Sequence, residues 1–155
     1  MMGKPKPEIW DDFFSRPSEV PPDFLQKDTE EAVDISLNKK ENRVALTKML
    51  MRLFALWQIS ITDQAAILHR SISTIRRYQS GGCIGDDQAM LDRVGLLMGI
   101  HKNLRILYPY NRDLVYRWIT AKNSTFDGQA PLDIIKKEEE GLRVIRGYLE
   151  STVNS

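Results

Sequence analysis

The sequence predicts an all-α protein, and three observations carry that reading. Apolar residues recur at three- and four-residue steps through most of the chain after residue 38. No alternating run is long enough to make a strand. Pro109 and Pro131 stand at the ends of periodic stretches, where a helix must stop or start. The expected architecture is a helix-turn-helix bundle over residues 39–82 followed by a second all-α domain over 86–155. An irregular acidic arm, 1–38, precedes them.

Composition bounds the function. A chain of 155 residues with 42% hydrophobic content can bury one sizeable core or two small ones. Cys83 is the single cysteine, so no internal disulfide can form. There is no charged-then-apolar leader and no run of about 18 apolar residues, so no membrane partner and a cytoplasmic location are expected. The net charge of +1 hides a segregation along the chain. Residues 1 to 38 carry four basic and nine acidic residues. Residues 39 to 80 carry eight basic residues (Lys39, Lys40, Arg43, Lys48, Arg52, Arg70, Arg76, Arg77) against Glu41 and Asp63, and the remainder balances.

The arm holds five of the seven prolines, which argues against continuous secondary structure. Its aromatic residues Trp10, Phe13, Phe14 and Phe24 sit among acids, as in short segments that order on a partner. Folding back over the chain's own apolar surface would use the same residues. That second use is favoured, because exposed aromatic clusters are uncommon on a resting protein.

From Asn38 to about Trp57, Val44, Leu50, Met51, Leu53, Phe54 and Trp57 form a wide helical stripe, with Asn38 as its expected cap. Two short helices then fit Ile61 to Tyr78. Thr62 is placed to cap Asp63 to Leu68, whose Ala65 and Ala66 permit a close crossing, and Ser71 is placed to cap the next helix. There Ile75 and Tyr78 share an inward face, leaving Ile72, Ser73, Arg76 and Arg77 outward. This is the layout of a DNA-reading helix-turn-helix. The basic block falls on it, as phosphate neutralisation requires. Ser71, Ile72, Ser73, Thr74, Arg76 and Arg77 are the candidate DNA contacts.

Ser80-Gly81-Gly82-Cys83-Ile84-Gly85 breaks the pattern and reads as a hinge. A long helix from about Asp86 to Leu107, capped by Asp86 or Asp87, follows. Met90, Val94, Leu97, His101 and Leu104 build one seam along it, and Gly95 and Gly99 leave room for close approach. That seam must pack within the domain or across a two-fold axis. Pro109 ends the helix, and Asn111 can cap a short one through Leu114, Val115, Trp118 and Ile119. A loop spans Lys122 to Ala130, Pro131 opens a further helix at the position where its missing N–H costs nothing, and Gly141 separates it from a last helix with Leu142, Ile145, Leu149 and Val153 on one face.

Catalytic chemistry has no foothold, and no cofactor or metal is expected. His69 and His101 are the only histidines, without partners at metal-ligand spacing. His101, within the seam, reads as a core or interface residue bonded to a carbonyl. Cys83 has no adjacent base, and neither GxxxxGK[ST] nor GxGxxG occurs.

The ordered blocks Leu96-Leu97-Met98-Gly99-Ile100-His101-Lys102-Asn103-Leu104-Arg105, Tyr108-Pro109, Tyr116-Arg117-Trp118-Ile119, Asn123 to Phe126 with Gly128, Pro131-Leu132-Asp133, Gly141-Leu142 with Val144, and Tyr148-Leu149 resemble the toxin-binding domain of the MbcA/ParS/Xre antitoxin family. The resemblance runs from roughly Ala89 to Leu149. It implies an Xre-like helix-turn-helix antitoxin that neutralises a RES-domain toxin consuming NAD, forms a homodimer and represses its own operon by binding operator DNA. It also places toxin contact on the C-terminal domain, where the exposed candidates are Arg117, Asn123, Phe126, Gly128, Arg143, Arg146 and Glu150. Three residues depart from related helix-turn-helix units. His69 and Arg70 stand where Gly and an aliphatic residue are usual, so His69 must take a left-handed backbone at a cost of about 1 kcal/mol. Ile72 replaces a polar reader and leaves only contact with a thymine methyl. These departures favour an alternative: an orphan regulatory or interaction protein of this family with weakened DNA binding and no cognate toxin.

Overall fold

The computed structural model describes Leu37 and residues 39–155. The readings of the acidic arm, and of Asn38 as a cap, lie outside them. Among the described residues there are seven α-helices, two 3-10 turns and no strand. Helix α1 (Lys40–Leu56) begins without a side-chain cap. Instead Arg43 reaches back to donate to the Leu37 carbonyl at 2.8 Å.

Helices α2 (Ile61–Leu68) and α3 (Ile72–Gln79) form the helix-turn-helix. The α2 cap is Ser60 rather than Thr62: the Ser60 hydroxyl accepts from the Asp63 N–H at 3.1 Å, which moves the helix start back to Ile61. A serine in extended backbone reaches the N3 amide as well as threonine does, so sequence alone could not choose between them. Ser71 caps α3 in the same way, accepting from Thr74 N–H at 3.1 Å. Between them His69 adopts the left-handed conformation, φ 58° and ψ 45°, and its N–H and that of Arg70 close the end of α2.

The glycine-rich segment after α3 is fastened rather than hinged. Ile84 is fully buried, its N–H donates to the buried Thr47 hydroxyl at 3.0 Å and its carbonyl accepts from Arg43 at 3.2 Å. A hinge would need backbone groups that exchange water freely, and here they are held by α1.

Asp87 then caps α4 (Gln88–Leu107), accepting from Met90 N–H at 3.2 Å. The predicted seam of Met90, Val94, Leu97, His101 and Leu104 is wholly buried, and α7 (Gly141–Val153) packs along α4 more extensively than any other helix pair among the described residues. The seam is therefore intrachain core. Gly99 allows that approach, since a Cβ there would lie 2.4 Å from Arg146 Nε, whereas Gly95 faces open space. Helix α5 (Arg112–Arg117), capped by Asn111, runs into a 3-10 turn at Trp118–Thr120, and a second such turn covers Ser124–Phe126 in the loop. Pro131 opens α6 (Pro131–Lys137) at its first turn. Gly141 is required by contact: a Cβ would meet the Ile134 carbonyl oxygen at 2.4 Å and the Ile135 Cα at 2.7 Å.

One continuous apolar core runs from Leu50 in α1 to Leu149 in α7. Polar links reinforce it where the helix-turn-helix meets the later helices. Arg93 of α4 donates to the Ile67 carbonyl at 2.7 Å, satisfying an acceptor left open at the end of α2. Lys136 of α6 pairs with Asp63 of α2 at 3.1 Å, and Arg70 with Asp87 at 3.5 Å.

Candidate nucleic-acid and toxin interfaces

Helix α3 divides as its spacing requires. Ile75 and Tyr78 are buried, while Ile72, Ser73, Arg76 and Arg77 are exposed. Ser71 and Thr74 are occupied by the cap: the Ser71 oxygen accepts from Thr74 N–H and its hydroxyl donates to Thr74 Oγ1 at 3.1 Å. Arg77 lies with its guanidinium carbon 5.3 Å from the Tyr78 ring centroid, and its stem runs so close to Gly82 that a Cβ there would stand 2.9 Å from Arg77 Cγ. Arg76 is the less encumbered of the two.

The basic block is only partly available to a ligand. Arg43 commits its guanidinium to the Leu37 and Ile84 carbonyls, and Arg70 pairs with Asp87 and donates to the His69 carbonyl at 3.0 Å. Lys39, Lys40, Lys48, Arg52, Arg76 and Arg77 remain exposed. Arg70 thus takes a new place at the position where a core aliphatic residue was expected, anchoring the turn to the start of α4. Desolvation, followed by the charges of Arg93 and Arg70, holds the His69 imidazole below its ordinary pKa, so it adds no charge to this surface at neutral pH.

The C-terminal candidates fall into separate groups. Arg117 is exposed and paired with Asp113 at 3.0 Å. Asn123 ties the loop: its side-chain oxygen accepts from Thr125 N–H at 2.9 Å, and its carbonyl accepts from both Phe126 and Gly128 at 3.0 Å. Gly128 is exposed with φ +83° and follows Asp127, itself left-handed. Phe126 turns inward onto an aromatic cluster. It meets Tyr148 edge-on at 5.3 Å and Trp118 at 6.3 Å, while Trp118 and Tyr148 stack at 6.4 Å.

Arg146 and Glu150 lie on the other flank of α7. They pair at 3.3 Å, Asn103 of α4 donates to Glu150 at 3.4 Å, and Arg146 packs over Gly99. Arg143 is exposed and pairs with Glu140 at 3.3 Å. Arg117, the loop and α7 therefore do not form one continuous charged patch. The sequence reading missed Tyr148 and Val144, which are 36% and 45% exposed and give the aromatic flank a solvent-facing apolar edge. Tyr148 lies three residues after buried Ile145, at the margin of the inward stripe, and that position was the available signal.

His101 is completely buried, and its Nε2 lies 2.8 Å from the Tyr116 hydroxyl rather than against a carbonyl. Desolvation, then Arg105 and Arg112, keeps the imidazole neutral by driving its pKa well down. Among the described residues no group of His, Cys, Asp and Glu could hold a metal ion, and no helix is long and apolar enough to cross a membrane.

The arrangement defines a helix-turn-helix protein with an appended all-α binding domain. A family model for the antitoxin Xre-like helix-turn-helix domain matches residues 36–88, and one for the antitoxin Xre/MbcA/ParS C-terminal toxin-binding domain matches residues 103–152. The chain belongs to the Xre/MbcA/ParS family of antitoxins. A comparison with curated proteins finds none that matches. The two matched domains are a DNA-binding fold and a toxin-binding fold, the parts of a regulatory protein.

Proposed function

We propose that this protein is a cytoplasmic antitoxin that neutralises a RES-domain, NAD-consuming toxin and, as a homodimer, represses its own operon by binding operator DNA. Residues 39–82 form the DNA-binding unit and 86–155 the toxin-binding unit, with the arm 1–38 outside both. The observation that carries the reading is the order of the two antitoxin domains on one chain. The first presents the exposed face of α3 to DNA, with Arg76 and Ile72 as principal contacts and Ser71, Ser73, Thr74 and Arg77 beside them. The second offers the toxin Arg117, the Asn123 to Gly128 loop with Phe126, and Arg143, Arg146 and Glu150. An antitoxin acts by occlusion, and a few central anchors dominate such binding.

For DNA, replacing Arg76 and Arg77 with Ala is expected to abolish binding to the region upstream of the gene. Removal of each arginine–phosphate pairing also lowers the salt slope by about one unit. Operator half-sites are expected ~34 Å apart, one helical turn. For toxin, Arg143→Glu is the milder surface change, because it disturbs only the exposed pair with Glu140, whereas Arg146→Glu would set a carboxylate beside Glu150 and also remove the packing over Gly99. Co-expression with a RES-domain toxin, with protection abolished in Arg143→Glu and retained in wild type, tests the reading. Full protection by Arg143→Glu and by Phe126→Ala moves the toxin-binding surface elsewhere.

A second reading, an orphan regulator with weakened DNA binding, is favoured by the diversion of Arg43 and Arg70 into structural bonds and by Ile72 at the start of α3. An adjacent RES-type reading frame supports the first reading, and its absence supports the second.

A further inference from the structure

The chain enters helix α3 through a residue that resists the conformation it holds. His69 is left-handed, φ 58° and ψ 45°, and a residue with a Cβ is strained there. Relaxed to the right-handed region, it would let α2 run on and send α3 off in another direction. The Ser71 cap shapes α3 from its first residue onward. The direction in which α3 leaves is set before that, at His69.

Two arginines hold the turn on either side of His69. Upstream, Arg93 of α4 donates through Nε to the half-buried Ile67 carbonyl at 2.7 Å, across 26 residues of chain. Downstream, Arg70 donates to the His69 carbonyl at 3.0 Å and pairs at 3.5 Å with Asp87, the cap of α4. The N–H groups of the turn itself are directed at Ala65 and Ala66, whereas the Ile67 carbonyl, nearer to His69, takes its donor from α4. Arg93 stands close enough for its charge to act on the His69 imidazole, second only to desolvation. A charged donor makes a stronger hydrogen bond than a neutral one, enough to offset the strain of one left-handed residue.

We propose that Arg93 is a positioning residue for DNA recognition: from α4 it clamps the end of α2, so that His69 stays left-handed and α3 presents Ile72, Ser73 and Arg76 at one fixed angle. It acts without touching DNA itself. The proposal rests on the reading of α3 as the DNA-binding helix. Recognition needs contact groups held to within about 0.5 Å. A turn that populates a second conformation therefore lowers specific binding although every contact residue is still present.

Arg93→Met and Arg93→Gln separate donor from charge, since both remove the charge at similar length and only Gln keeps an N–H where Arg Nε stands. Fluorescence anisotropy of the full chain on a duplex from upstream of the gene, against a scrambled duplex, should show Arg93→Met binding about tenfold more weakly. Arg93→Gln should stay within about threefold of wild type. Adding His69→Gly to Arg93→Met should recover most of the loss, because glycine holds a left-handed backbone without help. In the free protein, exchange of the Arg70 amide, which donates to the Ala65 carbonyl at 3.0 Å, should quicken in Arg93→Met and return toward wild type in Arg93→Gln.

Circular dichroism checks folding. If Arg93→Met alone does not fold, its double variant with His69→Gly is set against His69→Gly, and a loss of about tenfold between those two overturns the proposal. Equal weakening by Met and Gln, with a salt slope lower by about one unit, makes Arg93 a phosphate contact and overturns it too. So does a Met loss that His69→Gly leaves unchanged, because Arg93 then acts elsewhere than on the turn. Wild-type affinity in folded Arg93→Met, with the upstream duplex still preferred, overturns the role of Arg93 and leaves the DNA reading standing. A wild type that does not distinguish the two duplexes defeats the DNA reading, and the role of Arg93 falls with it.

Discussion

The turn between α2 and α3 and the solvent-facing flank of α7 both present candidate contacts, yet they are built from different kinds of interaction. Ser60, His69 and Ser71 shape the turn through bonds to backbone groups a few residues away. On α7, Tyr148 is set by Trp118 and Phe126, and Arg146 by Gly99 and Glu150, with most of these partners far along the chain. Local bonds fix where α3 starts, and its own spacing sets Ile75 and Tyr78 on the face that packs inward. The flank of α7 exists only once α4, α5 and the 123–129 loop have assembled around it. The recognition helix should therefore tolerate changes elsewhere better than the α7 surface does.

The largest test concerns whether the two regions nonetheless share one body. Ile75 of α3 and Ile145 of α7 are both fully buried in the continuous core. Ile75→Ala and Ile145→Ala are each expected to cost about 2–5 kcal/mol and to lower the same single denaturation transition. Two separable transitions, each sensitive to one variant, would break the picture of a shared core. Next in size is Gly141→Ala, whose Cβ would collide with α6 backbone that cannot swing aside. A loss of about 1–3 kcal/mol is expected, together with reduced toxin protection and little change in the local cap geometry of α3. Equal loss of DNA binding and toxin protection at a temperature where the variant stays folded would contradict the local character of the turn.

A pH dependence follows from His101. Its folded pKa lies well below its ordinary value of 6.5, so between the two values the unfolded chain binds the extra proton. Stability therefore rises with pH through that window and is lost as pH falls below 6.5, by up to about 1.4 kcal/mol per unit. Denaturant midpoints of wild type and His101→Gln at pH 7 and pH 5.5 should differ in slope, the variant being flatter. The smallest effect belongs to the turn. His69→Gly relieves a left-handed histidine and should raise stability by about 1 kcal/mol or less, without altering the α7 surface. A destabilised His69→Gly would mean that the imidazole makes interactions worth more than the backbone strain.

Legibility in the sequence tracked the range of the interactions. Ser71 and Asn111 act as caps at the positions their spacing indicated, Asp87 rather than Asp86 caps α4, Pro131 opens α6, and His69 is left-handed as the comparison with related helix-turn-helix turns implied. Ser60 displaced Thr62 because the helix starts at Ile61, which puts the Asp63 N–H three residues after Ser60 and leaves Thr62 inside the first turn. The glycine-rich segment read as a hinge since its composition shows what the backbone is allowed to do. It does not show that Thr47 and Arg43 hold Ile84.

By itself the sequence determined the helices, the caps of α3 and α5 and the outward face of α3, because periodicity and capping are properties of neighbouring residues. Only the tertiary structure decided that the α4 seam is covered by α7 within the chain, since an apolar stripe is equally satisfied by any apolar partner. It also decided that Arg43 and Arg70 are structural and that Arg146 lies over Gly99 while Tyr148 joins Trp118 and Phe126 on the opposite flank. A guanidinium or a ring has the same chemistry wherever it falls in the chain, and its role is set by the groups that folding brings within reach of it.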